Sequence, residues 1–381
     1  MTAPRILIAP NSFKECLSAT EVAEAISRGA RAALPSATVE SLPLSDGGEG
    51  FVHALTAAGR GLRIGERVTG PRGEPVDALW GLLRDGELAV IEMAQAAGLE
   101  RVPLEQRDPM KTTTFGVGAL IRAACDRGAK EIIVGIGGSA TNDGGLGMAQ
   151  ALGFQFLDAG GVEIEAPATG GDLARVAWIK DAPKSMWWRE RRIRVACDVD
   201  NPLLGPRGAT RTYAAQKGAT PEQIERLERG MNAFVGMIEH DLRVEVRDVP
   251  GAGAAGGLGA GLMAFAGAHL EPGAPLVLDT LGFDRRLEGA ALVITGEGAV
   301  NAQTVSGKIP WEVCRRAMSR AVPVLVLAGD IREAPAEMRE APNVHLASIA
   351  PEGTAKEVSM RDAITLLESA AKDWVTRLCG E

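Results

Sequence analysis

Short apolar runs that stop abruptly at loops of glycines, carboxylates and hydroxyls recur along the chain, and this alternation predicts its elements. Arg5 to Ala9 is one such run, followed by Pro10-Asn11-Ser12-Phe13-Lys14 as a loop. Ser18, with Glu21 three residues on, forms a capping box ahead of the periodic apolar positions Val22, Ala25 and Ile26, so a helix is expected there. A second strand, roughly Thr38 to Pro43, stops at Ser45-Asp46-Gly47-Gly48-Glu49-Gly50, with a helix from near Phe51. Doubly wound sheets are assembled from strand, loop and helix in that order, and their ligands bind at the loops past the strand ends.

From Gly61 the texture changes. The segment RIGERVTGPRGEPVDALWGLLRDGELAVIEM, punctuated by Gly and Pro, predicts hairpins of an antiparallel or mixed sheet, with Asp85-Gly86 as a two-residue turn. Beyond it, Thr113 to Arg127 reads as an amphipathic helix and Glu131 to Ile136 as a strand ending in GGSATNDGG (137–145). A helix from Leu146 follows, then a strand Ile193 to Ala196 ending in Cys197-Asp198-Val199-Asp200-Asn201-Pro202, and a charged, solvated helix from Pro221 to His240. The run GAGAAGGLG (251–259) admits two readings, close packing of a helix on a sheet or a backbone cradle for phosphates. Parallel α/β texture then returns: a strand Ala291 to Thr295 delivering a glycine turn at Thr295-Gly296-Glu297-Gly298, a helix Trp311 to Arg320, strands Pro323 to Leu327 and Val344 to Ile349, and a helix Ser359 to Leu378. The two ends resemble each other and the middle differs. The expected fold is therefore α/β with two domains, a parallel-sheet domain built from residues 1–65 and 288–381 and an inserted mixed α/β domain of residues 66–287.

Composition narrows the function. A chain of 381 residues exceeds one ordinary core, and 46% apolar with 24% charged residues is usual for soluble proteins. The net charge of −8 argues against nonspecific nucleic-acid binding and against an anionic membrane surface. An anionic small ligand must then be held by local lysines, arginines and backbone amides. Cys16, Cys125, Cys197, Cys314 and Cys379 are scattered without a C-x-x-C pair, which suggests reduced thiols in a cytoplasm and no zinc site. The four histidines share no ligand spacing. The N-terminus carries no signal-peptide pattern, and no apolar stretch reaches the roughly 20 residues of a membrane span.

No Walker sequence, protein-kinase HRD or DFG set, or GxSxG elbow occurs. A GxGxxG pattern exists by letter at Gly251, Gly253 and Gly256, but no convincing strand precedes it. Taken in order, PNSFK, SDGGEG, GGSATNDGG, CDVDNPLLG, QKGA, GAGAAGGLG and TGEG followed by QT and GK resemble the bacterial glycerate kinase family of the glycerate 2-kinase type, end to end. The resemblance implies ATP-dependent phosphorylation of D-glycerate, most often to 2-phosphoglycerate, with Mg2+. It also implies a Rossmann-like domain from both chain ends and an inserted α/β domain, with the active site in the cleft between. A kinase must exclude water from its phosphoryl donor, so hinges are expected near Arg63 to Pro71 and Leu281 to Gly289. Expected partners are D-glycerate and ATP; a homodimer stays open.

Within the matching motifs, phosphoryl transfer needs cations on the moving group, carboxylates for Mg2+ and a group to orient or deprotonate the hydroxyl. Lys14, Lys217 and Lys308 are candidates for phosphate or glycerate carboxylate contact. Asp46 and Glu297 are placed near metal or substrate, and Asp198 is the base or substrate-orienting residue. Ser12, Gly47, Gly48, Ser139, Thr141, Asn142, Gly253, Gly256 and Gln303 are expected to bind nucleotide or substrate, and Ser306 is a further donor. Asp143 and Asp200 have the alternative of capping helices or turns. The chain departs from the family at Asn301 and Asn11, where Asp is usual, and in YAAQKGA for FGPQKGA. Asn301 is a catalytic position by its motif, yet an amide neither takes a proton nor binds Mg2+ strongly. A catalytically weakened glycerate- or nucleotide-binding member, or a kinase of a related small hydroxy acid, are the alternatives.

Overall fold

In strand Arg5–Ile8, Ile6, Leu7 and Ile8 are fully buried, so both faces of the strand are covered, the signature of an interior parallel strand. It lies in a sheet of five strands in the order Val344–Ser348, Val324–Ile331, Ala290–Val300, Arg5–Ile8, Thr38–Ser41, every neighbouring pair parallel. This computed structural model describes residues 3–183, 187–305, 307–331 and 334–379. The chain divides into two units, Met1–Asp46 with His53–Arg60 and Pro272–Glu381, and Gly47–Val52 with Gly61–Glu271.

In the first unit, helices Ala19–Ala33 and Ala363–Cys379 pack so closely that a Cβ on Gly29 would stand 2.2 Å from the Glu368 carbonyl oxygen. Val22, Ala25, Ile26, Leu367 and Ala371 fill the core beneath them. The capping box forms as expected: the Glu21 N–H donates to Ser18 Oγ and the Ser18 N–H to Glu21 Oε2 at 2.8 Å. The Ser18 hydroxyl, which donates to Glu21 Oε2 at 2.7 Å, and the Ser18 N–H hold the Glu21 carboxyl below its usual range. Ser18→Ala is expected to cost about 1 kcal/mol in urea unfolding, and an unchanged midpoint would contradict the capping assignment.

The glycine turn expected after Thr295 is not a turn. Strand Ala290–Val300 runs on for 11 residues, pairing Gly296 with Leu327, Glu297 with Ala328 and Val300 with Ile331. A Cβ on Gly296 would lie 2.1 Å from the Leu327 carbonyl oxygen, so glycine is what lets the two backbones approach. The consequence is functional, because Glu297 projects from a rigid strand and not from a loop.

The second unit holds a six-stranded sheet in the order His269–Glu271, Arg192–Ala196, Glu131–Gly135, Leu88–Glu92, Pro75–Leu83, Leu62–Thr69. The first four run parallel and the last two add antiparallel, the mixed sheet the sequence predicts. The Asp85-Gly86 hairpin exists, but its connection is the four residues 84–87, with Arg84, Asp85 and Gly86 at φ of 51°, 52° and 96°. Helix Pro221–Met237 is only half solvated. Its buried face carries Leu227, Met231 and Phe234, whose ring centroid lies 5.9 Å from that of Phe156 and 6.0 Å from that of Phe265.

Helices Gly273–Thr280 and Phe283–Leu287, in the stretch given to the inserted domain from the sequence, belong to the first unit. Arg316 of helix Ile309–Met318 ties them there through Asp279 at 2.6 Å and Asp284 at 3.2 Å. Among the described residues no helix is long and apolar enough to cross a membrane.

Candidate active site

In the first unit, the loops past the strand ends stay zippered to the sheet. The Ala9 and Asn11 N–H groups donate to the carbonyls of Ile294 and Gly296, and those of Leu42 and Leu44 to Ile8 and Pro10. This brings segment 11–14 and Asp46 to the carboxyl edge. Buried Asn11 places Nδ2 3.5 Å from Asp46 Oδ2, while its Oδ1 accepts from the Ser12 N–H at 2.8 Å. Glu297, buried, accepts from Thr304 Oγ1 at 2.6 Å and lies 3.9 Å from Lys308 Nζ. Burial pushes its carboxyl up, the Asp46 charge adds to that, and Thr304, Lys308 and Lys14 pull it down. Asp46, Glu297, Lys14 and Lys308 thus form one electrostatic cluster, with Lys14 exposed.

A buried carboxylate whose proton affinity is raised by burial and by a neighbouring carboxylate is a group that a divalent cation relieves. Among the described residues no group of three His, Cys, Asp or Glu could hold a metal. Mg2+ takes one or two carboxylates and fills its shell with water and phosphate oxygens.

Asn301 has an identifiable local task. Its Oδ1 accepts from the Gln303 N–H at 2.9 Å, its own N–H donates to Thr304 Oγ1 at 3.1 Å, and its carbonyl accepts from the Thr304 N–H. This Asx turn seats Thr304 beneath Glu297, and a carboxylate oxygen would accept the same bond. Gln303 is exposed, and Ser306 lies outside the described residues. Asn301→Asp should therefore change kcat/KM by less than tenfold, whereas Asn301→Ala, which deletes the acceptor, should lower it by about tenfold. A large gain in the Asp variant would show the amide to be a catalytic defect.

In the second unit, Gly47 and Gly48 lie over two strand ends. Gly47, at φ +108°, has its Cβ position 2.8 Å from Ala196 Cβ, and its carbonyl accepts from the Gly137 N–H at 3.1 Å. A Cβ on Gly137 would be 2.7 Å from Gly48 Cα. The neighbouring parallel strands Glu131–Gly135 and Arg192–Ala196 deliver the 137–145 loop and exposed Asp198 to this edge. Asp200 instead forms an exposed ion pair with Arg207 at 2.7 Å, the turn-stabilising role.

The 137–145 loop is built around buried charge. Lys217 Nζ lies 2.7 Å from both Ser139 Oγ and the Thr141 carbonyl oxygen. Burial drives its ammonium down to about 7, against the pull of Asp143. Asp143 accepts from the N–H and Oγ1 of Thr114, both at 2.8 Å, and from the N–H groups of Gly145 and Gly147. Burial raises its carboxyl while these four donors oppose it. Asn142 Nδ2 donates to Thr210 Oγ1, while buried Thr141 Oγ1 and Asn142 Oδ1 have no hydrogen-bond partner among the described residues. Such orphaned groups are rare in a finished interior.

Gly253 and Gly256 are explained by packing. Their Cβ positions would stand 2.2 Å from the Pro202 carbonyl oxygen and 2.0 Å from that of Thr141. Of the two readings for this glycine run, contact between backbones accounts for both positions.

Sequence reasoning passed over Thr304, although it stands in the quoted QT pair, and treated Asp143 as a cap without its lysine. No local signal marks the latter, since Asp143 and Lys217 meet only through folding.

A family model described as the Glycerate kinase family matches residues 6–379. The chain is 47% identical over 370 residues to the Glycerate kinase of Bacillus subtilis (strain 168), covering 97% of this chain and 96% of that one. It is 48% identical over 329 residues to the Glycerate 2-kinase of Escherichia coli (strain K12), covering 86% of each. A crystal structure assigned to glycerate kinase 2 of Salmonella typhimurium LT2 superposes with a TM-score of 0.89 at 44% identity, covering 99% of both chains.

Proposed function

The chain belongs to the glycerate kinase family, and from that premise we propose that it transfers the γ-phosphoryl group of ATP to the 2-hydroxyl of D-glycerate. The observation that carries this reading is the cluster at one sheet edge in which Asp46, Lys14 and Lys308 all act electrostatically on the buried carboxylate of Glu297. The name of the Escherichia coli relative supports the 2-position.

Asp46 and Glu297 would hold Mg2+, which when bound neutralises charge on the phosphates and fixes their geometry. Lys14 and Lys308 stabilise the negative charge of the moving phosphoryl group, a contribution realised most fully in the transition state. Glu297 is kept in place by Thr304, whose position Asn301 sets. Asp198 orients the glycerate hydroxyl, and the amides near Gly47 and Gly48 approach the ligand without side chains. The weakened-member alternative loses its main motive, because the Asn301 amide already performs the loop's hydrogen bonding.

ADP release with ATP, Mg2+ and a panel of D-glycerate, tartronate, glycolate and erythronate tests the substrate. Turnover is expected with D-glycerate and to stop when EDTA removes the metal. Preference for another acid, or calorimetric binding of glycerate and ATP without turnover, would replace the proposal.

A further inference from the structure

Lys217 is 2% exposed, so a ligand does not reach its amine directly. What reaches outward is Ser139, half-buried, whose Oγ is 2.7 Å from Nζ. The hydroxyl is rigidly presented. Ser139 bridges Gly98, the adjacent Gly138 carbonyl accepts from the Leu99 N–H, and the Ala140 N–H donates to the Ala97 carbonyl. Thr112 Oγ1 donates to the Ala140 carbonyl at 3.0 Å.

We propose that Ser139 and Lys217 form a proton relay that receives the proton of the glycerate hydroxyl as it is phosphorylated. The inference rests on the glycerate kinase reading and adds a route that reading leaves open. As the hydroxyl oxygen bonds to the γ-phosphorus and the bond from phosphorus to the β,γ-bridging oxygen breaks, the hydroxyl proton passes to Ser139 Oγ. The Ser139 proton passes to the Nζ lone pair of Lys217, and ADP leaves with the electron pair of the broken bond. Lys217 ends as an ammonium, and Asp143, held by its four donors, is the charge that stabilises it.

The neutral amine fits the surroundings better than the ammonium does. An ammonium has three N–H donors, and two oxygens are within reach. A neutral amine donates to the Thr141 carbonyl and accepts the Ser139 O–H in its lone pair. Burial, which brings the amine down to about 7, populates that form at neutral pH and favours it above. A base poised there is matched to general base catalysis. Asp143 is the charged group acting on Lys217. On the segment packed against Gly218, Asp108 is engaged by Lys111, Gln223 and the Met110 N–H, and Arg107 donates to the Val102 carbonyl.

The alternative role, an ammonium that seats a substrate anion or ties the loop together, has the opposite pH sign. A relay works when Lys217 is deprotonated, so kcat rises with pH through about 7 and then levels. An anion seat works when it is protonated, so KM for glycerate worsens over the same range. The experiment measures kcat and KM for D-glycerate from pH 5.5 to 9 in the wild type, Ser139→Ala, Ser139→Thr and Lys217→Arg, with thermal melts to confirm folding. Expected are a rising kcat limb in the wild type, its retention in Ser139→Thr, and its disappearance with about 10²-fold loss of kcat in Ser139→Ala. Arginine keeps charge and donors but does not give up its proton below about pH 12, so it rescues a tie or a seat and not a relay. Wild-type turnover with the limb unchanged in Ser139→Ala, or full rescue by a folded Lys217→Arg, overturns the relay alone. Absence of wild-type glycerate turnover overturns the reaction and the relay with it.

Discussion

Glu297→Gln is expected to lower kcat/KM for glycerate phosphorylation by about 10²- to 10³-fold while leaving the fold intact. The change is nearly isosteric and keeps an oxygen to accept from Thr304 Oγ1, so the packing around this buried position survives. What it removes is the negative charge, and with it one of the two carboxylates that would hold Mg2+. An amide is a weak ligand for a hard dication, and Asp46 is left as the one carboxylate of the pair. The expected signature is a raised Mg2+ requirement together with the lower rate, measured by titrating Mg2+ at saturating ATP. Because Glu297 stands on an 11-residue strand paired on both sides, relaxation is a poor escape from the substitution. A variant with wild-type kcat/KM and wild-type Mg2+ dependence would remove Glu297 from the metal and leave it a purely structural acid.

The largest effect on stability is expected at Gly256. Its φ is +68°, a region that costs an L residue about 1–2 kcal/mol, and an added Cβ would stand 2.0 Å from the Thr141 carbonyl oxygen. Backbone cannot swing aside as a side chain can, so Gly256→Ala should cost about 3 kcal/mol or more in chemical denaturation. Gly205→Ala is the control. It has φ +87° with nothing within 4 Å of the Cβ position, and should cost only the conformational part, about 1–2 kcal/mol. The Thr141 carbonyl that the new Cβ would displace is also the one that Lys217 touches, so the Gly256 variant should lose activity beyond its loss of stability. Equal costs at the two glycines would mean the contact at Thr141 relaxes freely.

Much of the fold was legible because its signals are local. Apolar runs such as Ile6 to Ala9 mark buried parallel strands, the Ser18 and Glu21 pair marks a helix start, and polar loops after strands mark the ligand edge. The glycine turn at 295–298 failed for a physical reason: the missing Cβ serves a tight turn and a close strand pairing equally well. Only the partner strand, 31 residues away at Leu327, decides between them. The 251–259 glycines posed the same ambiguity, and at Gly253 and Gly256 close approach to other backbone accounts for the missing side chains. The charged look of helix Pro221–Met237 hid Phe234, because a buried stripe needs few residues and the charges outnumber it.

The site was legible as a set of motif residues and not as an arrangement. Asp46, Glu297, Lys14 and Lys308 share one environment, as do Ser139, Thr141 and Lys217. Which of them are buried could not be read locally. Lys217 looks like any loop lysine in QKGA, yet it is sealed against residues 76 and 78 positions earlier in the chain. Its depressed proton affinity follows from that burial, so it became visible only with the fold. Asn301 changed meaning in the same way, from a missing carboxylate to the acceptor that shapes its own loop.

The most direct test of the central claim is product analysis of the wild-type chain with ATP, Mg2+ and D-glycerate, followed by phosphorus NMR with authentic 2- and 3-phosphoglycerate added in turn. Stoichiometric 2-phosphoglycerate and ADP is the predicted result. Production of 3-phosphoglycerate, or ATP left intact beside unchanged glycerate, would contradict it.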